Sequence, residues 1–370
     1  MAVYLGHLKD ALSGTSNGGA TIHGYGVKVV ADSFGMDGGQ RLKSASGFDG
    51  SLMHEAKAKG KAIGVVQSGY ISEPGSAAFL ARVPGRTEFN DEIAKQVIDA
   101  EPEVSLSGGE RYLLPAGVQG RHGLGERKDG LNLIEQAKAK GYTVVYDRKE
   151  LLALPKSAKK VLGVFAWSHT FNDDTEEKLK AAGLPLYVES APSIGEMTKA
   201  ALDILSRNPK GFFLVAEEEG TDNFANRNNA RGFLEAGTRA DAAIAVIREF
   251  VAKEPKTLMV MASDSDAGGL EVLGYNARKM PADKALPTSD ESAAIPDGRD
   301  GTASLPFLAK ADRAGKELPF AITWTGYGDS TGGILVRGVG YRSERIQGTL
   351  DNTEIFQILR GALFDPKGKR

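Results

Sequence analysis

The 370-residue chain contains no cysteine. Disulfides, thiolate metal sites and cysteine nucleophiles are therefore excluded, while the compartment is left open. Histidine is scarce: the five are His7, His23, His54, His122 and His169, and none lies beyond residue 169. A metal site built from the C-terminal half must therefore use oxygen ligands. No apolar run approaches the ~18 residues of a membrane span. The opening Met1 to Asp10 lacks the basic and apolar regions of a signal peptide. An excess of one charge is also missing: the formal net charge of −2 gives no reason to expect nucleic acid or an anionic membrane as partner.

Glycine is plentiful, at 46 residues, which suits a protein with many tight turns between strands and helices. Apolar content of 41% and charged content of 25% are those of an ordinary globular protein. The length allows one large α/β domain or two smaller ones. Helical and strand patterns alternate. Ser51 to Gly60 reads as a helix closed by glycine, and Lys61 to Ser68 as a buried strand. Leu131 to Lys140, then Tyr142 to Tyr146, repeat the pattern, and Lys160 to Ala166 is another buried strand. Ser193 and Glu196 form a capping box ahead of an apolar stripe at Met197, Ala201, Ile204 and Leu205. A long helix runs to Lys253, Thr257 to Ala262 reads as a central strand, and Gly333 to Val339 as a later one. This order predicts an α/β fold with a mainly parallel central sheet and helices on both faces. Residues 269–319 break the rhythm and read as a loop-rich insertion.

The segment Gly211 to Asn226 carries the most chemistry. An apolar run ends in Glu217, Glu218 and Glu219, Asp222 follows, and Asn226 lies four residues further. A strand, a turn and a helix would gather Glu217, Asp222 and Asn226 at one end of a sheet, where oxygen-rich clusters hold metal ions or phosphate. A second cluster, Ser263 to Asp266, follows the strand Thr257 to Met261. Its two carboxylates suit a divalent ion, but Ser and Asp are equally at home in helix caps and solvated turns. The third, Gly328 to Gly333, is a polar turn before a strand.

Together these segments resemble the alkaline phosphatase family. Its metal-binding core reads roughly G-F-F-L-x-V-E-G-x-x-I-D-x-x-x-H, and the zinc-ligand histidine is Asn226 here. Asp264 matches the metal-binding aspartate of T-L-V-I-V-T-A-D-H-x-H, whose next histidine is Ser265. Thr331 and Gly332 match an H-T-G segment, which puts Ser330 at a third zinc-ligand histidine, with Asp329 beside it as the better ligand. Near the start, Gly26, Val27 and Lys28 align on D-S-A-x-x-A-T-x-x-x-x-G-V-K. Ser16 then falls on the nucleophilic serine, Thr21 on the threonine and Thr15 on the aspartate. An ungapped match over Gln67 to Arg86 puts Glu73 on the aspartate near the magnesium site, Gly75 on its threonine and Arg86 on the phosphate-binding arginine. Matches at Glu103 to Gly109 and Pro192 to Thr198 extend the resemblance from about Thr15 to the C-terminus.

The resemblance implies one alkaline phosphatase-like domain over 1–370, with 269–319 inserted in it. It implies metal-dependent hydrolysis of a small-molecule phosphate monoester through a phosphoserine, with Ser16 and Arg86 catalytic. Glu73, Glu217, Asp222, Asn226, Asp264 and Asp329 would hold the metals. Such an all-oxygen set fits Mg²⁺ or Ca²⁺ better than Zn²⁺. A periplasmic or extracellular location is implied, and a homodimer is left open. Two alternatives stand beside this: a degenerate member that binds phosphate or metal without turnover, and a phosphodiesterase or sulfatase of the wider superfamily. The family's N-terminal strand, which ends in an Asp-Gly-Met-Gly-like turn, has no counterpart in the fifteen residues before Ser16. From this the chain is expected to be N-terminally incomplete.

Overall fold

The apolar runs become nine strands in two main sheets: β1 (Ala2–Leu5), β2 (Ala62–Tyr70), β3 (Val104–Gly108), β4 (Thr143–Val145), β5 (Val161–Val164), β6 (Phe212–Glu217), β7 (Leu258–Met261), β8 (Leu335–Gly340) and β9 (Gly348–Asp351). The computed structural model describes residues 1–274, 282–286 and 296–365. The larger sheet has the order β4-β5-β3-β2-β6 and is parallel throughout. Its strands alternate faces. Ile63, Val65, Leu162 and Val164 point into one apolar core, while Ala62, Val66, Val104 and Leu106 point into another. Helices cover both faces, so neither side of the strands needs polar residues.

Helix α1 (Ser16–Tyr25) and helix α2 (Leu52–Ala58) belong to the first face, and helix α3 (Ile194–Leu205) packs on the second. Helix α4 (Gly220–Asn226) follows β6, and helix α5 (Ala230–Lys253) packs against α3. Helix α6 (Asn352–Phe364) closes the described chain. The capping box at Ser193 and Glu196 forms as its spacing predicts, and so does one at Ser51 and His54. No helix among the described residues is long and apolar enough to cross a membrane.

The second sheet has the order β9-β1-β8-β7. One expectation changes here. The run from Thr257 is not a central strand, because β7 pairs only with β8 and lies at an edge. Residues before Ser16 do form a strand, but β1 lies between β8 and β9 and ends at Leu5 without a carboxylate. Among the described residues, the outer edges of β6 and β7 have no strand partner. Helices hold the two sheets together. On one face α5 packs on α3 and on β7 and β8, while on the other α6 packs on α1, α2 and β7. Residues 269–319 are not loop alone: Leu270–Leu273 is a strand that pairs antiparallel with Pro319–Trp324, a strand running on beyond the segment.

Several residues of the Ser16 to Lys28 segment serve this frame. Thr15 caps α1, its Oγ1 accepting from Gly18 N and donating to the Ala31 carbonyl at 2.6 Å. Lys28 pairs with Asp351 at 2.8 Å. Thr21, fully buried, donates through Oγ1 to the Ser33 carbonyl and accepts from Gly35 N, both at 2.9 Å. Thr21→Val keeps the shape but strands both backbone groups, each costing ~1–3 kcal/mol when left unmet. Urea unfolding of Thr21→Val is expected to show a lower midpoint with an unchanged slope. An unchanged midpoint would mean that water or a neighbour meets both groups.

Candidate functional site

The C-terminal end of β6 and the turn after it form the centre of the site. Glu217 ends the strand, Glu218 and Glu219 make the turn, and α4 carries Asp222 and Asn226 one turn apart. Glu218 ties this turn to β2. Its Oε1 accepts from Ser68 Oγ at 2.6 Å, Tyr187 Oη at 3.0 Å and Gly220 N at 3.1 Å. Ser68 Oγ in turn accepts from Glu219 N at 2.9 Å. The knot fixes where α4 begins, and so where Asp222 points.

Asp264 arrives from the other sheet, in the loop after β7. The first turn of α1 sits directly on it: a Cβ on Gly19 would lie 2.4 Å from the Asp264 Cβ. Only glycine allows that approach, and Ser16, the first residue of α1, lies one turn before Gly19. Ser16 is half-buried and makes no side-chain hydrogen bond among the described residues. It heads a ten-residue helix whose N-terminal amides and dipole favour an incoming anion.

Asp329 joins from the turn before β8, where Asp329–Ser330 pairs with Asp266–Ala267. Asn226 Nδ2 donates to Asp222 Oδ1 and Asp329 Oδ1, both at 3.2 Å, while its Oδ1 accepts from Gly268 N at 2.9 Å. Asn226 thus offers hydrogens, not a free oxygen, to the two carboxylates. Ser330 Oγ is occupied with the Asp266 carbonyl at 2.8 Å.

Glu73 caps a short helix, Pro74–Ala77, beyond β2 and is only 2% exposed. Arg86 forms an ion pair with it through Nη1 and remains 31% exposed, so its other N–H groups can face a ligand. The Glu217 carboxylate fills the place where a side chain at Gly75 would go: a Cβ there would lie 1.5 Å from Oε1. The structure therefore gathers Glu73, Glu217, Asp222, Asn226, Asp264 and Asp329 into one region, with Ser16 and Arg86 beside it.

Sequence reasoning missed four neighbours. Glu218 and Glu219 were visible as the run of three glutamates, but only Glu217 matched the family pattern. Gln67, on β2 in register with Glu217, reads as an ordinary strand residue. His169 follows the buried strand β5, and that placement was the available signal. Its Nδ1 lies 4.0 Å from Glu73 Oε1, buried and without a hydrogen-bond partner. Burial first, then the charges of Arg86, Arg111 and Arg227, push its pKa down to about 3, so it stands as neutral imidazole.

The carboxylates shift the other way. Burial first, then the charges of Glu73 and Asp264, push Glu217 up to about 8. Burial, then Asp329, pushes Asp264 up to about 6. Asp222 is raised well above its ordinary value by burial, Asp329 and Asp264. Two observations fit a bound cation: the donors are all hard oxygens, and Glu217 Oε2 is sealed from solvent with no donor. The coordination is not ready-made, since among the described residues no three His, Cys, Asp or Glu side chains form a group that could hold a metal ion.

The sign of the pH dependence follows. Glu217 and Asp264 bind protons more tightly folded than unfolded, where their values are 4.5 and 3.8. Their contribution to stability is complete below the unfolded values and is lost as pH rises through about 6 for Asp264 and about 8 for Glu217. Metal-stripped protein is therefore expected to lose stability between pH 5 and pH 8, and added Mg²⁺ to restore more of it at pH 8 than at pH 5. Chemical denaturation at the two pH values checks this. Stability rising across that interval would show that these groups are not held protonated.

Comparison with known proteins identifies the family and the fold. The family model described as alkaline phosphatase matches residues 1–364. The chain is 27% identical to alkaline phosphatase 3 of Bacillus subtilis over 385 residues, covering 93% of this chain and 76% of that protein. It is 24% identical to the alkaline phosphatase of Escherichia coli over 376 residues, covering 93% and 72%. The crystal structure of Thermus thermophilus alkaline phosphatase superposes with a TM-score of 0.74 at 22% identity, over 98% of this chain and 82% of that one. With its fold shared and the family model matched over nearly its whole length, the chain belongs to the alkaline phosphatase family.

Proposed function

We propose that the protein is a metal-dependent phosphate monoester hydrolase acting through a phosphoserine. The observation that carries this is the seating of α1, which begins at Ser16, directly on Asp264, one of the clustered carboxylates. Ser16 Oγ would attack phosphorus while the ester alcohol leaves, and water would then hydrolyse the phosphoseryl group. Arg86, with Nη1 held by Glu73, would present its remaining N–H groups to two non-bridging oxygens of the dianion. Glu73, Glu217, Asp222 and Asp264, with Asp329, would hold the cation. When bound, such a cation withdraws charge from the phosphate and lowers the pKa of a nearby hydroxyl. The family resemblance also supports a periplasmic or extracellular location.

A second reading has its own observation. The Asn226 amide bridges Asp222 and Asp329, and so does by hydrogen bonding part of what an ion would do there. This favours a member that binds phosphate without turning it over.

Hydrolysis of a chromogenic phosphate monoester, diester and sulfate, measured with added Mg²⁺, separates these readings. The monoester is expected to be preferred, and Ser16→Ala is expected to cut its turnover by several orders of magnitude while leaving the fold intact. Undiminished turnover in Ser16→Ala would remove Ser16 from the mechanism, and no turnover of any substrate would favour the binder.

Metal identity can be checked separately. Zn²⁺ draws much of its affinity from imidazole and thiolate, and the donors named here are carboxylates. Elemental analysis of protein purified without added metal is expected to find no stoichiometric zinc, with Mg²⁺, Ca²⁺ or Mn²⁺ restoring chelated protein best. Tightly held zinc with activity tracking its content would overturn this.

A further inference from the structure

Glu219 and Gln67 have no part in the function proposed above, yet both are almost wholly buried, 6% and 2% exposed. Gln67 lies in register with Glu217 on the adjoining strand. Two residues further along the same face of β2, Gly69 marks where the side chains meet. A Cβ there would lie 2.7 Å from Glu73 Cγ, 3.1 Å from Glu219 Cγ and 3.3 Å from Gln67 Oε1. Glu219 is also within hydrogen-bonding reach of Glu73 and Glu217.

The charge at this end of the cluster is not balanced. Arg86 is the one cationic side chain paired here among the described residues, and it is engaged with Glu73. Gln67 Oε1 and Glu217 Oε2 are both sealed from solvent without a donor, as is His169 Nδ1 beside Glu73. Unmet buried acceptors are costly. At the opposite end the Asn226 amide supplies hydrogens to Asp222 and Asp329; no such group serves Gln67 and Glu217. The donor-less oxygens of Gln67 and Glu217, set among further carboxylates, are hard donors of the kind a divalent cation takes.

We propose that Glu219 and Gln67 join Glu73 and Glu217 as ligands of a hard divalent cation at the Gln67 end of the cluster. The proposal rests on the metal-dependent function above and adds two donors to it. The side chains are not ready-made for an ion as they stand.

Mn²⁺ is the probe, because it is hard, tolerates an imidazole neighbour and is counted directly by the electron paramagnetic resonance signal of the free ion. Metal-stripped full-length protein is titrated with Mn²⁺ alone. Glu219→Gln, nearly identical in shape, is expected to lose one bound equivalent or to hold it at least tenfold more weakly. Gln67→Met is expected to weaken the same equivalent. Unchanged number and affinity in Glu219→Gln would overturn the proposal, and so would a native chain that binds no Mn²⁺. Circular dichroism checks that each variant is folded. Should Glu219→Gln fail to fold, Gln67→Met decides, with unchanged binding again overturning the proposal. Mn²⁺ binding that depends on Glu219 in a protein without turnover would sink the hydrolase function alone. Turnover with binding indifferent to Glu219 would sink this inference alone.

Discussion

Buried Glu73 and Glu219 and half-buried Glu217, Asp222 and Asp264 lie together at one end of the larger sheet. Among the described residues only Arg86 supplies a permanent positive charge in direct contact with any of them. Burying like charges at such close range is unfavourable unless protons or cations neutralise them. Much of the local architecture follows from that constraint. The Arg86 pair and the bridging Asn226 amide each lower part of the repulsion without removing it. A cluster of this kind costs stability in the empty protein. The rest of the fold, with two apolar cores on either side of a parallel sheet, must offset that cost.

The backbone around the cluster is correspondingly overdetermined. Glu218, half-buried, gathers a serine, a tyrosine and a backbone amide onto one oxygen. That knot holds α4 against the end of β2, and α4 in turn presents Asp222. On the other side, Gly19 lets α1 close directly onto Asp264. Two rigid supports thus face each other across the site, which is how a protein keeps repelling groups from swinging apart.

Much of this was legible in the sequence, because the relevant signals are local. The capping box at Ser193, the apolar strands and the helix–glycine closures depend on neighbours in the chain, and they appear close to where their patterns predicted. Glu217, Asp222 and Asp264 were legible because carboxylates follow apolar strands there. What could not be read was decided by distant partners. The strand β7 looks central by composition, since a half-buried edge strand flanked by helices is as apolar as an interior one. Gln67 carries no motif, and its significance comes only from register with Glu217. The amide of Asn226 could have turned either way, and it was Gly268 N that claimed its oxygen.

The divide between β6 and β7 gives the acidic cluster a second character. Glu217 and Asp222 belong to the strand and helix on one side, Asp264 and Asp329 to the loops on the other, and no strand-to-strand hydrogen bonds cross between the two edges among the described residues. Helices above and below act as struts. Mechanically, the molecule is two plates joined by beams, with its densest charge at the seam. An ion coordinated from both sides would act as a rivet, so the occupancy of the site and the stiffness of the whole body would be one quantity measured in two ways.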